Sequence, residues 1–244
     1  MSDSLVIIPT YNEIDNIENI IRAVLNLPKM FHLLIIDDGS PDGTANAVKL
    51  LQKEFDGQLF LIERPGKLGL GTAYITGFKW ALEKPYEYIY EMDADFSHNP
   101  TDLPKLYESC VNGADISIGS RYSTGVNVVN WPMGRILMSF FASIYVRKIT
   151  GMKIYDTTAG FVCYKRKTLE TINLDKIQFK GYAFQIEMKY IAYCLGFKLK
   201  EVPIIFVNRI YGESKMSSGI FSEGFWGVIC LRIKKLFGQI KSKT

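Results

Sequence analysis

Four short apolar runs constrain this chain more than any other feature: LVIIP (5–9), HLLIIDD (32–38), LFLIE (59–63) and YEYIYEM (86–92). Each reads as a strand buried on both faces, because its apolar residues run on instead of alternating with polar ones. The segments between them have helical periodicity. DNIENIIRAVLN carries Ile17, Ile20, Ile21, Val24 and Leu25, TANAVKLLQKEF carries Val48, Leu51 and Phe55, and YITGFKWALE follows. Asp15, with Glu18 three residues on, predicts a capping box for the first helix. Strands alternating with helices predict βαβ units and a mostly parallel, Rossmann-like α/β sheet flanked by helices.

Beyond Asp95 the pattern loosens. A short helix is expected near 102–110, a strand at DISIGS (115–120), an apolar helix over 133–149 and a strand at GFVCYK (160–165). AFQIEMKYIAYCLG reads as a helix and KEVPIIFVNR (200–209) as a late strand. From Gly219 the tail puts Phe225, Ile229, Leu236 and Ile240 on one side, with Lys234, Lys235, Lys241 and Lys243 mostly elsewhere. That is a basic amphipathic helix, so residues 219–244 are expected to form a tail on a domain of residues 1–218.

A chain of 244 residues can bury such a core without metal or disulfide staples. Its cysteines (Cys110, Cys163, Cys194 and Cys230) form no CxxC pair, which argues against a zinc site and suits a reducing cytosol. The first residues lack a basic region followed by a long apolar one, so no secretory leader is expected. The longest apolar run, ILMSFFASIYV (136–146), is bracketed by Arg135 and Arg147 and is too short to span a bilayer.

Charge is unevenly placed. Residues 1–119 hold 9 of the 29 Lys/Arg and 18 of the 25 Asp/Glu, a net of −9, which leaves 20 and 7, a net of +13, for the rest. The basic half predicts an anionic partner: phosphates, a lipid surface or nucleic acid. No nucleic-acid recognition motif accompanies it, so nucleic acid is not expected.

In open parallel sheets, ligands sit beyond the carboxyl ends of the strands. Three of those ends carry acids here: PTYNE, DDGSPDG and DADFSH. Taken singly, each reads as a turn or a cap; Asn12, Asp15 and Asp42 need no other explanation. Three together on one crevice are costly unless they hold a cation or accept donors from a ligand. Asp93 and Asp95 are two residues apart, so both face one way if the strand continues through them. GKLGLGTA lacks the ending of a Walker loop and follows the third strand instead of the first. It reads as a tight backbone approach beside a nucleotide crevice.

The strings IIPTYNE, IIDDGSPDGT, KLGLGTAY, MDADFSHNP, GSRY, DTTAGF, GYAFQIEM and VPIIFVNRIYGESK occur in that order over about residues 5–218. As a set they resemble the inverting family 2 glycosyltransferases of GT-A fold, and within them the polyprenol (dolichol) phosphate mannosyltransferases. The resemblance implies transfer of mannose from GDP-mannose to a polyprenyl monophosphate, giving a β-linked mannosyl phospholipid. By matching motif, Pro9, Tyr11, Glu13, Ile36 and Asp38 would hold the guanosine end. Asp93, Ala94 and Asp95 form the DXD-type motif, in which the second acid binds Mg²⁺ or Mn²⁺ and the first contacts the nucleotide sugar. Arg121, Arg209 and Lys215 would contact the donor phosphates. Ser97 stands where some relatives have a metal-binding Gln, so a hydroxyl or a water would complete the metal site.

The chemistry agrees with these assignments. A departing diphosphate is stabilised by a divalent cation and by Arg/Lys, and Mg²⁺ takes one or two carboxylates plus phosphate oxygens. A phosphate monoester acceptor, with a second pKa of about 6, needs no strong base. His32 and His98 are therefore not required for catalysis; His32 reads as structural and His98 stays open. Asp156 and Glu187 are acid candidates for the acceptor side. Glu187 reads equally as a buried acid paired with Arg or Lys.

The resemblance also implies peripheral contact with the cytoplasmic face of a membrane through helix 133–149 and the tail, and it allows a membrane partner subunit. Two alternatives stand beside it: another donor such as UDP-glucose, and a nucleotide-sugar-binding subunit without turnover.

Overall fold

The computed structural model describes residues 2–181, 183–208 and 219–243, without the side chains of 219–223. Its first half runs β1 (Ser4–Thr10), α1 (Ile14–Leu25), β2 (His32–Asp37), α2 (Thr44–Gln52), β3 (Leu59–Glu63), α3 (Leu70–Leu82) and β4 (Tyr88–Glu91). There follow α4 (Leu103–Val111), β5 (Ile116–Ser120), β6 (Val128–Val129), α5 (Met133–Thr150), β7 (Val162–Lys165) and α6 (Arg166–Thr171). The last elements are α7 (Ala183–Cys194), β8 (Leu199–Pro203), β9 (Phe206–Val207) and α8 (Gly219–Leu236).

Seven strands form one sheet in the order β3-β2-β1-β4-β7-β5-β8. Only β7 runs against its neighbours, β4 and β5. The period of two explains the continuous apolar runs. Leu5, Ile7, Leu34 and Ile36 face Tyr74, Phe78, Phe184 and Tyr190 on one side. Val6, Ile8, Leu33 and Ile35 face Ile17, Ile20, Val24 and Val48 on the other. Each fully buried Leu or Ile contributes roughly 1.5–3 kcal/mol, so the central strands are the most firmly held part of the fold.

Three local expectations change. The capping box does not form: Glu13 is the N-cap of α1, Ile14 N donates to Asp42 Oδ2 at 3.1 Å, and Glu18 pairs with Arg22 instead. An acceptor from the neighbouring loop has displaced the local one. The late strand breaks after Pro203, which has no N–H to continue a ladder, and β9 pairs with β6 in a separate two-stranded sheet. In the tail, Val228 and Leu231 are buried, whereas Phe225 and Leu236 are exposed and Ile240 packs on the core beyond the helix end. Helix α8 thus lies on α7 and α5, with Tyr145 stacked on Phe225 at 4.9 Å and donating to its carbonyl.

Candidate active site at the carboxyl end of the sheet

The loops after β1 and β2 are stitched together. Asn12 N donates to Ser40 Oγ (2.9 Å), Glu13 N to Thr44 Oγ1 (3.0 Å), and Asp42 Oδ1 accepts from Thr44 N and Oγ1. Asp37 is used internally, accepting from Thr10 and Ser40. Asp38 is buried, accepts from Arg64 Nε at 2.7 Å and forms an ion pair with Arg64 Nη2 at 2.6 Å. Burial pushes the Asp38 carboxyl up, against the pull of Arg64. Pro9, the residue before the last of β1, lies beside Ile36 in register, and the Ile36 side chain is fully buried in the core, so only its backbone can meet a ligand. Tyr11 has Lys67 Nζ 5.4 Å from its ring centroid.

The glycine-rich loop is indeed a close backbone approach, but the approaching partner is this chain's own segment 179–180. Gly69 has φ +105, and a Cβ there would stand 3.0 Å from the Lys180 Cβ; one on Gly71 would stand 2.7 Å from the Phe179 carbonyl oxygen. Gly71 N donates to Lys180 O at 2.8 Å. That segment is held in turn by Glu187, whose Oε2 accepts from the backbone N–H of Gln178 and Phe179, each at 2.9 Å. The Glu187 carboxylate thus anchors backbone, a role neither sequence reading foresaw.

Strand β4 stops at Glu91, so strand pleat does not align the two aspartates. They are presented from a turn in which Phe96 adopts φ +58, a left-handed conformation costly for an aromatic residue. Hydrogen bonds hold the turn: Asp95 Oδ1 accepts from Ser97 N (3.1 Å) and Ser97 Oγ (2.5 Å), and Asp93 N donates to His98 Nδ1 (3.2 Å). Asp95 is buried, while the Asp93 side chain is 40% exposed. His98 stacks on Phe161 at 4.9 Å with Phe206 edge-on. Burial lowers its pKa to about 4, outweighing the opposing pull of Asp95. Neutral, with Nδ1 accepting, His98 carries its proton on Nε2.

Arg121 follows β5 and is gripped by fully buried Asp156. Its Nε donates to Oδ2 at 2.7 Å, Nη2 to Oδ1 at 2.6 Å, and its backbone N to Oδ2 at 2.9 Å. Burial alone would raise the Asp156 carboxyl; the Arg121 charge and hydrogen bonds overcome it and hold the group low. Glu201 supports this from beneath, accepting from Asp156 N, Tyr155 N and Ser120 Oγ. Tyr122, Trp131 and Phe206 surround the guanidinium at 5.2, 5.7 and 5.6 Å. Trp131 also carries Arg135, 3.9 Å from its centroid, and Arg135 Nη1 donates to Asn208. Val207 N reaches Ser97 O at 3.4 Å, which brings the end of β9 to the aspartate turn. Arg209 and Lys215 lie outside the described residues.

The fold therefore gathers Asp38, Asp93, Asp95, Ser97 and Arg121 at one end of the sheet and uses Asp156 to aim Arg121. Arg64, Lys67, Trp131 and Arg135 were not foreseen. Arg64 follows β3 in parallel register with β2, directly across from Asp38, and only that register singles it out. Among the described residues no cluster of three or more His, Cys, Asp or Glu could enclose a metal ion. One buried and one half-exposed carboxylate, with diphosphate and water for the remaining ligands, fit a hard divalent cation.

The family model for glycosyl transferase family 2 matches residues 5–172. A polyprenol monophosphomannose synthase of Mycolicibacterium smegmatis is 43% identical over 230 residues, covering 92% of this chain and 87% of that protein. An undecaprenyl-phosphate mannosyltransferase of Micrococcus luteus is 44% identical over 229 residues, covering 92% and 93%. Among solved structures, glucosyl-3-phosphoglycerate synthase from Mycobacterium tuberculosis, in complex with Mn²⁺, UDP-glucose and phosphoglyceric acid, superposes with a TM-score of 0.67 at 16% identity. That match covers 93% of this chain and 78% of the other, and establishes the GT-A fold expected from the sequence.

Proposed function

From the premise that this chain belongs to the family 2 glycosyltransferases, we propose that it moves mannose from GDP-mannose to a polyprenyl phosphate such as dolichyl phosphate, with inversion. The observation that carries the reading is the pairing of the Asp93–Asp95 turn with an Arg121 already aimed by Asp156. Pro9, Tyr11, Glu13, Asp38 and the backbone at Ile36 take the guanosine end, with Arg64 and Lys67 beside them. Asp95, Asp93 and Ser97 hold Mg²⁺ or Mn²⁺, which when bound neutralises the diphosphate. Asp93 and Ala94 also face the donor, and Arg121, Arg209 and Lys215 meet the phosphate charge that grows as the sugar leaves. A guanidinium fixed in advance needs no reorganisation at that moment, which is why the Asp156 grip matters.

The acceptor is already ionised near neutral pH, consistent with a His98 that is neutral, buried and occupied with the Asp93 amide. Its phosphate would approach Arg121 and Arg135, whose guanidinium groups lie 5.7 and 3.9 Å from the Trp131 ring centroid. Met133, Leu137, Met138 and Phe141 are exposed on α5 around Arg135, and Trp226, Ile233 and Leu236 are exposed on α8, with Phe237 just past its end. Lys234 and Lys235 on the same helix turn to the protein instead: Lys234 Nζ donates to Gln178 Oε1 at 2.5 Å and Lys235 Nζ lies 5.5 Å from the Tyr193 ring centroid. Among the described residues no helix is long and apolar enough to cross a membrane, and this surface suits peripheral contact. Residues 1–218 then carry the chemistry and 219–244 part of the lipid contact, alone or with a membrane partner subunit.

The test mixes the protein with Mg²⁺ or Mn²⁺, a short polyprenyl phosphate, and GDP-mannose, UDP-glucose or UDP-N-acetylglucosamine in separate reactions. Mass spectrometry follows the glycolipid. Product from GDP-mannose alone is expected. Product from another donor changes the sugar, and tight nucleotide binding without any product would point to a non-catalytic subunit.

A further inference from the structure

Three buried polar residues beneath the site have no part in the chemistry described so far. Lys189 on α7 has no exposed surface. Its Nζ donates to the Ala159 carbonyl at 2.6 Å and to Gln185 O and Oε1, each at 3.1 Å. An ammonium has three donors, so all are used. Gln185 Nε2 passes the connection on to Glu91 Oε2 at 2.5 Å, and Glu91 is the fully buried last residue of β4. The cluster therefore ties α7, the end of β4 and the segment 156–161 together.

That segment touches both halves of the site. At one end Asp156 grips Arg121. At the other, Phe161 stacks on His98, whose Nδ1 holds the Asp93 amide. Between them, a Cβ on Gly160 would stand 3.8 Å from Gln185 Nε2 and 3.9 Å from His98 Cε1, so the backbone runs close between the cluster and the aspartate turn. A buried ammonium and carboxylate are a poor source of stability, since apolar residues of similar volume often do as well. What an apolar group cannot supply is a donor for the Ala159 carbonyl.

We propose that Lys189, with Gln185 and Glu91, is a positioning unit that fixes the segment 156–161 against the end of β4 and so sets Arg121 relative to Asp93 and Asp95. The proposal rests on the glycosyl-transfer reading above. In a site where charge must be met at a defined spacing, a displacement of about 1 Å costs on the order of 10²-fold in rate.

The test compares Lys189→Met with the double variant Glu91→Gln/Lys189→Met in the full chain. Lys189→Met leaves Glu91 buried without its cation, so both Tm and kcat fall. The double variant removes both charges; its Tm recovers, while kcat stays down by about 10²-fold, because the Ala159 carbonyl still lacks its donor. The KM for the sugar donor stays within about threefold of wild type in the double variant. Recovery of kcat together with Tm would overturn the proposal, as would a loss confined to KM. If Lys189→Met fails to fold, the double variant carries the comparison alone.

A second readout needs no substrate: the ¹⁵N-labelled Arg121 Nε–H, bonded to buried Asp156, is expected to exchange slowly with solvent in the wild type and faster in the double variant. Unchanged protection would count against positioning. Absence of glycolipid from the wild type with every donor would overturn the glycosyl-transfer reading instead, and the exchange measurement would still decide the structural claim.

Discussion

The two histidines of this chain sit at opposite ends of one sheet, both buried, both with titration depressed by burial. At the amino end, His32 opens β2, its Nδ1 2.8 Å from Tyr86 Oη, with Tyr86 and Phe60 packed edge-on. Around it the chain closes on itself: Lys29 pairs with Asp3 and Tyr107 donates to the same carboxylate. At the carboxyl end, His98 holds the amide of Asp93 between Phe161 and Phe206, beside backbone in the left-handed region at Asn12 and Phe96. A depressed histidine therefore marks burial at both ends and does not by itself tell them apart. What separates the ends is the destination of each hydrogen bond, scaffold to scaffold in one and scaffold to a solvent-facing turn in the other. Strain and buried charge gather where the chain keeps a cleft.

If that contrast is right, substitutions at the carboxyl end cost rate and those at the amino end cost only stability. The largest effect belongs to Asp95→Ala, which should lower metal-dependent glycolipid formation by roughly 10³-fold while circular dichroism stays unchanged. A rate like that of the wild type would remove the metal assignment. Next is Asp156→Asn, which leaves Arg121 buried and charged without its counter-ion. It should lose about 3 kcal/mol in urea unfolding at pH 7 and about 10²-fold in kcat. Because Arg121 holds the Asp156 pKa below its ordinary value of 3.8, the stability from this pair is present above that pH and is lost as pH falls through the lower folded value. The variant should accordingly show a shallower acid limb.

A smaller loss, about tenfold in kcat, is expected for His98→Ala, which strips the Asp93 amide of its acceptor. His98→Asn can return an acceptor through Oδ1 and should recover part of the rate. Equal loss in both variants would mean that the ring matters only as packing against Phe161.

The sequence made the central strands legible because a strand buried on both faces leaves a mark within five residues. Asp38, Asp93 and Asp95 were legible as acids at strand ends, whereas Arg121 was named only by the family resemblance. Features made by distant segments were not. Arg64 looks like an ordinary charge until β2 and β3 are set in register, and nothing in the sequence links Glu91 to Lys189 until β4 and α7 meet in the core. The glycine-rich loop was read correctly as a close approach, but the sequence could not say that the approaching backbone was its own segment 179–180. The expected capping box failed for a related reason, since a local acceptor competes with any acceptor the tertiary fold brings near.

The mildest prediction is the most direct test of the contrast. At pH 7 His32 is mostly neutral in the unfolded chain and more completely so in the folded one. Below about 6.5 the unfolded chain binds a proton at this position and the folded chain resists it, so stability falls with pH until the folded value is passed. His98 does the same from 6.5 to about 4, so the wild-type stability curve carries both contributions. His32→Gln removes one of them. Urea unfolding between pH 7 and 5.5 should give a slope shallower by less than one proton, with kcat, KM and their pH profiles unchanged. An unchanged slope would mean that His32 titrates as freely in the folded chain as in the unfolded one. A fall in kcat at constant stability would do more, because it would show the amino end of the sheet acting on the chemistry at the other.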